Sequence, residues 1–165
     1  MAEARTEIWF YQLLHSPLEK ALPQLLLKTR ERGWKAVIEA PDSERLRALD
    51  DLLWTFSEES FLAHGRASDG DAHMQPICLT QDNENPNRAN ARFYVAGAWI
   101  DPQTFASGAD YARAILVFDG TDDDTVARAR QQWKELRGLG LAMTYFEQRE
   151  NGGWDKKFEQ SAAQS

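Results

Sequence analysis

The chain lacks the features that identify extracellular, membrane and nucleotide-binding proteins. Its 165 residues include one cysteine, Cys78, so no intramolecular disulfide can form, and this fits a reducing cytoplasm. No apolar run approaches the ~20 residues of a membrane span, and the N-terminus lacks the basic and apolar regions of a signal peptide. No stretch reads GxxxxGK(S/T), and no glycine lies in His15-Ser16-Pro17, which follows the first apolar segment. We therefore expect a cytoplasmic protein without a phosphate-binding loop.

The chain also has fewer basic than acidic residues. The sequence has 19 Lys and Arg against 26 Asp and Glu, which gives a net charge of −7. Non-specific binding of nucleic acid depends on a basic footprint, so we expect no tight direct binding of DNA or RNA.

Candidate catalytic and metal-binding groups are scattered. No pair among His15, His64 and His73 has the spacing of helical metal ligands. The aspartates at 122–124 could hold a cation, but their position at a helix start favours a solvated helix cap. Cys78 has no basic activator nearby, which favours core packing over a nucleophile. The sequence therefore predicts no metal, no cofactor and no catalytic residue.

Apolar, β-forming runs alternate with helical patterns along most of the chain. The strands are predicted at 8–14, 35–40, 75–81, 91–97, 112–118 and 141–148. This alternation predicts one α/β domain over residues 1–148, an open and mostly parallel sheet with helices on both faces, Rossmann-like but without its phosphate loop. Residues 149–165 are predicted to be a polar C-terminal extension whose end, from Ser161, is disordered.

The helix after the second strand carries an unusual aromatic residue. Its buried face is predicted from apolar residues at spacings of three and four, namely Leu46, Leu49, Leu53 and Phe56. Trp54 lies off that face, among charged residues, and Phe61 follows in a polar loop. Two interpretations stay open: the loop at 57–64 buries Trp54 under Phe61, or both rings form an exposed patch that docks another protein.

The last long helix carries two stripes. Its buried face is predicted from Val126, Ala129, Trp133 and Leu136. Arg130, Lys134 and Arg137 recur at +4 and +3 and form a basic stripe roughly 60–100° from the centre of that face. The stripe is either a solvated helix end that complements the helix dipole, or an anion site beside apolar surface.

Segments spread over most of the chain resemble, in their order and spacing, the chi subunit family of bacterial DNA polymerase III holoenzyme. They are EIWFYQL at 7–13, GWKAVI at 33–38, ALDDLLWTFSEESFLAHG at 48–65, PICLT at 76–80, ENPN at 84–87, WKELRGLGLAMTYFEQ at 133–148 and GGW at 152–154. Two positions depart from the family: Ala63 replaces a proline before His64, and Val126 stands where some members carry another lysine.

The resemblance implies a non-catalytic adaptor of the clamp loader. Members of the chi family bind the psi subunit, or a repair helicase through the same surface, which here would contain Trp54, Phe61 and His64. They also bind the acidic C-terminal tail of single-stranded DNA-binding protein, which ends in a phenylalanine carboxylate. Arg130 and Lys134 match the family's basic positions for that tail.

We add to the predicted tail site three residues that the resemblance does not supply. Arg137 continues the basic stripe, and Phe118 and Tyr145 are proposed as an apolar slot for the terminal ring. The alternative function is a small α/β enzyme with an unrecognised site at the carboxyl ends of the strands, where such folds bind their ligands.

Overall fold

The computed structural model describes residues 6–55, 63–106 and 111–162. These residues form a single eight-stranded sheet with helices on both faces, so the predicted α/β class is confirmed. The strands are β1 (Glu7–Leu13), β2 (Ala36–Glu39), β3 (Gly65–Arg66), β4 (Ile77–Thr80), β5 (Ala91–Tyr94), β6 (Arg113–Asp119), β7 (Met143–Gln148) and β8 (Trp154–Gln160). The helices are α1 (Leu18–Glu31), α2 (Ser43–Thr55), α3 (Pro102–Ala106) and α4 (Asp123–Arg137).

The strands are ordered β3-β4-β2-β5-β6-β1-β7-β8. All pairings are parallel except that of β8, which runs antiparallel to β7 at one edge. The inner strands are apolar on both sides because both of their faces are covered. Helices α1 and α2 pack on one face, and α3 and α4 pack on the other.

The eighth strand corrects the sequence-based description of the C-terminus. The sequence predicted 141–148 as the last strand and a polar extension after it, but residues 154–160 pair with β7. β8 escaped prediction because it is an exposed edge strand of mostly polar residues, so it carries little hydrophobic signal. Trp154 anchors its start on the ring of Tyr11, with ring centroids 4.7 Å apart.

The loop at 82–90, which is rich in turn-forming residues, is held in place by buried polar side chains. Asn87 is 1% exposed and donates to the carbonyls of Ala36 and Gln75. Arg92, which is fully buried, donates to the carbonyls of residues 82 and 84 and pairs with Glu39. The ENPN segment therefore has a structural role at the sheet, because it covers strands β2 and β5.

Helix α4 begins at the aspartates, as predicted, but its buried face differs from the predicted one at three positions. Asp122 caps it by accepting from the amide of Thr125 at 2.9 Å, and Gly138 follows its last turn. Ala129 and Leu136 are fully buried, whereas Val126 and Trp133 are only partly buried. The residue that sequence reasoning missed is Gln132, whose buried amide bonds both the amide and the carbonyl of Ile100.

Candidate partner-binding sites

The basic stripe of α4 lies on the protein surface. Arg130, Lys134 and Arg137 are exposed, and none of them forms a hydrogen bond or an ion pair with another side chain in the described ranges. Arg128, on another side of the helix, is instead engaged over the ring of Trp99, 5.3 Å from its centroid. The stripe, which we call the basic shoulder, therefore offers three cations that the described fold does not use.

Next to the basic shoulder, three rings form an aromatic notch, defined by Trp133, Tyr145 and Phe158. The Phe158 ring lies 5.5 Å from that of Tyr145 and 6.4 Å from that of Trp133, measured between centroids. On α4, Trp133 lies one turn after Arg130 and one turn before Arg137. The notch and the basic shoulder are therefore parts of one surface.

The two residues predicted as the apolar slot are neighbours, but neither is open to solvent. Phe118 and Tyr145 have ring centroids 6.1 Å apart and are 5% and 6% exposed. Burial raises the pKa of Tyr145 to about 12, and the nearby charge of Arg130 opposes this rise. The Tyr145 hydroxyl donates to Oε1 of Gln12 at 2.5 Å.

Phe158 is the residue of this surface that sequence reasoning missed. It is 62% exposed and lies in the segment that was predicted as a polar extension. The only signal in the sequence was an isolated phenylalanine between charged residues, which gives no indication of the face it occupies.

The second predicted site lies at the C-terminal end of α2. Trp54 is 58% exposed, and its ring lies 4.7 Å from that of His64, between centroids. His64 is only 7% exposed, and its Nε2 lies 2.9 Å from a carboxylate oxygen of Asp50. Arg66 donates to the other oxygen of that carboxylate at 2.7 and 2.8 Å. Phe61, the third residue predicted here, lies outside the described residues.

His64 is therefore a buried support for Trp54 rather than an exposed part of the binding surface. Its imidazole is fixed between α2 and the start of β3 by the carboxylate of Asp50, and it contacts Trp54. A bulky indole can stay exposed in one orientation when a buried group packs against one of its sides.

The two sites are far apart in the topology of the fold. Trp54 lies on the α1/α2 face, beside the edge formed by β3 and β4, whereas the aromatic notch lies on the α3/α4 face at the β7/β8 edge. One partner at each site would therefore meet a different face and a different edge of the sheet.

A cavity lies elsewhere, at the carboxyl ends of β1, β5 and β6. It has a volume of about 790 Å³ and is lined mostly by apolar groups. Its ionisable lining residues, His15, Glu19, Arg45 and Asp119, are all exposed at its rim. This is the position where α/β enzymes bind their substrates.

In the turn after β1, where Rossmann-type proteins bind phosphate, a side chain of the protein itself accepts hydrogen bonds from the backbone amides. The backbone amides of Leu14, His15 and Ser16 all donate to Oε1 of Gln148, at 3.0, 2.9 and 3.0 Å. Gln148 is 3% exposed and comes from the end of β7. A side-chain oxygen thus takes the amide groups that would otherwise be available to an anion.

Metal and thiol chemistry find little support in the described residues. Within those ranges no group of three or more His, Cys, Asp or Glu side chains could hold a metal ion. Burial raises the pKa of Cys78 to about 11, so its sulfur is a protonated thiol at neutral pH. None of the helices in the same ranges combines the length and apolar character of a membrane span.

Comparison with known proteins assigns the family. The model of the family described as DNA polymerase III chi subunit, HolC, matches residues 5–144, most of the chain. "Probable DNA polymerase III subunit chi" of Rickettsia prowazekii (strain Madrid E) is 35% identical over 71 residues, which are 43% of this chain and 43% of that protein. The alignment thus spans less than half the length of that relative. Since the family model covers far more than half of the sequence, this chain belongs to the DNA polymerase III chi subunit family, a family of the replication machinery.

Proposed function

We propose that the protein is a non-catalytic adaptor, which links the acidic tail of single-stranded DNA-binding protein to the psi subunit of the clamp loader or to a repair helicase. The observation that carries this proposal is the separation of two chemically different surfaces on one sheet. The first surface combines cations with an exposed aromatic ring, Phe158, and the second centres on an exposed indole. Two surfaces at opposite edges can be occupied at the same time, as a linking function requires.

The basic shoulder and the aromatic notch suit an acidic peptide that ends in phenylalanine. Arg130 and Lys134 would pair with its terminal carboxylate and aspartates, and an arginine can hold a carboxylate through two parallel hydrogen bonds. Exposed ion pairs contribute only about 0–1 kcal/mol each. The terminal ring must therefore supply much of the binding energy, and the charges set orientation and encounter rate.

The second surface suits a partner that covers a large aromatic side chain. Exposed tryptophans that become buried at the centre of an interface are frequent sources of binding energy. Trp54 is 58% exposed and is backed by His64, so its indole can enter a complex with little loss of conformational freedom. We assign Trp54 and Phe61, with His64 as the support, to the psi subunit or the helicase, which would compete for this surface.

The alternative, a small α/β enzyme that uses the cavity at the carboxyl ends, has less support. Its charged groups lie exposed at the rim, and the amides after β1 already bind Gln148. We expect the purified protein to show no ATPase or nuclease activity and no tight binding of single-stranded DNA.

Calorimetry with a synthetic acidic peptide that ends in phenylalanine tests the tail assignment. We expect micromolar affinity that weakens as salt is added, a large loss on deleting the terminal phenylalanine, and a smaller loss, up to about fivefold, on Arg130→Ala. Arg128→Ala is the matched control, since Arg128 lies on the same helix but stacks on Trp99. If Arg130→Ala and the shortened peptide both leave the affinity unchanged, the tail does not bind at the basic shoulder.

A further inference from the structure

The position of Phe158 depends on an irregularity in the pairing of β7 and β8. Gln148 pairs with Trp154, Glu147 with Asp155, and Phe146 with Lys156, but Tyr145 pairs with Phe158. One additional residue, Lys157, is therefore inserted in β8 as a β-bulge.

This bulge decides which face Phe158 occupies, because side chains alternate between the two faces of a strand. With uninterrupted pairing, Lys157 would lie opposite Tyr145, and Phe158 would lie on the α1/α2 face. With the bulge, Phe158 lies beside Tyr145 and against Trp133 of α4.

One side of the Phe158 ring packs against the fold, and the other side faces solvent. Tyr145 and Trp133 contact it, yet it remains 62% exposed because β8 is the last strand of the sheet. It is one of three exposed large apolar side chains in the described ranges, with Trp54 and Met74. The basic shoulder on α4 lies next to it, so this open ring has beside it cations that form no ion pair within the described residues.

β8 lies outside the part of the chain that the family model matches, which ends at residue 144. The exposed ring of the aromatic notch, Phe158, thus comes from the C-terminal segment beyond that match. A peptide with carboxylates and a terminal aromatic ring complements it, because the cations take the carboxylates and the open ring takes the aromatic group.

We propose that Phe158 determines the specificity of the tail site by packing against the terminal phenylalanine ring of the bound tail. This inference rests on the proposed binding of the tail at the basic shoulder. It replaces the buried Phe118 by an exposed ring, so Phe158 forms the open side of the slot, and the partly buried Trp133 and the buried Tyr145 form its floor.

A double-mutant cycle tests a direct contact between the two rings. The full protein is titrated, by calorimetry or by NMR where binding is weak, with the acidic peptide and with the same peptide ending in alanine. We expect Phe158→Ala to weaken binding of the phenylalanine peptide roughly tenfold and to leave the alanine peptide almost unaffected. Phe158→Tyr should keep most of the affinity, and Met74→Ala, which removes a similarly exposed apolar side chain outside both proposed sites, should change neither titration.

Two unfavourable outcomes separate this inference from the function on which it rests. If the peptide binds and requires Arg130, but Phe158→Ala weakens both peptides by the same factor or by none, Phe158 does not contact the terminal ring. If wild-type protein does not bind the peptide at all, both the tail assignment and this inference are wrong. Urea unfolding of Phe158→Ala should match that of wild type, which ensures that a change in affinity reports the contact.

Discussion

The indole of Trp54 lies on the imidazole of His64, with ring centroids 4.7 Å apart, and the two rings differ greatly in exposure. Trp54 is 58% exposed, whereas His64 is 7% exposed and bonded to Asp50 at 2.9 Å. A chain of contacts thus runs from the partly buried carboxylate of Asp50 on α2, through a buried ring, to an exposed ring. This chain explains how a large aromatic side chain can hold one position on a charged helix surface.

Asp50 supports both His64 and Arg66, so its removal should cost stability. We expect Asp50→Ala to lower the free energy of unfolding by about 1–3 kcal/mol, since a buried imidazole loses its hydrogen-bond partner. Urea titration measures this change, and Asp51→Ala, which removes the exposed neighbouring carboxylate, is the control. Equal stabilities of the two variants would contradict the supporting role of Asp50.

Trp54→Ala separates partner binding from folding. Because the side chain is largely exposed, we expect a small change in melting temperature but a loss of affinity for the psi subunit or helicase of roughly 30-fold or more. The control is Phe158→Ala, which removes an exposed ring at the other edge and should leave this affinity intact. A large fall in melting temperature with unchanged affinity would show that Trp54 is structural.

Gln148→Ala should destabilise the turn after β1. The change leaves three backbone amides without the oxygen they share, and we expect a loss of at least about 1–3 kcal/mol in the free energy of unfolding. Gln24→Ala, on the exposed side of α1, provides a control of the same residue type. Similar urea midpoints for both variants would mean that water satisfies these amides equally well.

Alkaline solution should unfold the protein through its buried tyrosines. Burial raises the pKa of Tyr11 and of Tyr145 to about 12, whereas a tyrosine in the unfolded chain has a pKa of about 10. The folded state therefore holds these protons more tightly, so stability is fully present below about pH 10 and falls as pH rises towards about 12. Tyr145→Phe should make this fall less steep in urea titrations at a series of pH values, and an unchanged slope would contradict the account.

Most of the fold was predictable because buried strands and amphipathic helices have strong periodic signals. The six apolar strands, and the face of α2 formed by Leu46, Leu49 and Leu53, follow from such signals and are confirmed. β8 and the two-residue β3 were missed because edge pairing uses backbone groups and leaves no apolar pattern in the sequence. Gln132 and Gln148 were missed for a related reason: a buried amide is recognisable only from the backbone groups it satisfies.

The candidate sites were predictable only in part. The exposure of the basic shoulder follows from helical spacing, and the position of Trp54 off the buried face does too. The sequence placed the aromatic part of the proposed tail site at Phe118 and Tyr145, which are both buried, and gave no indication of the exposed Phe158. The face occupied by Phe158 depends on a one-residue bulge at Lys157, and a bulge of this kind has no sequence signature.

The central claim, that one molecule links two partners, is tested most directly by a bridging experiment. Full-length single-stranded DNA-binding protein is immobilised, and retention of the psi subunit or helicase is measured with and without this protein. We predict retention only when the protein is present. Arg130→Ala should reduce capture of the protein, and of the second partner with it, while this variant still binds the second partner in solution. Trp54→Ala should be captured normally and lose only the second partner. If the two partners displace one another from the wild-type protein, or if either variant abolishes both contacts while remaining folded, the two surfaces are not independent and the adaptor account is wrong.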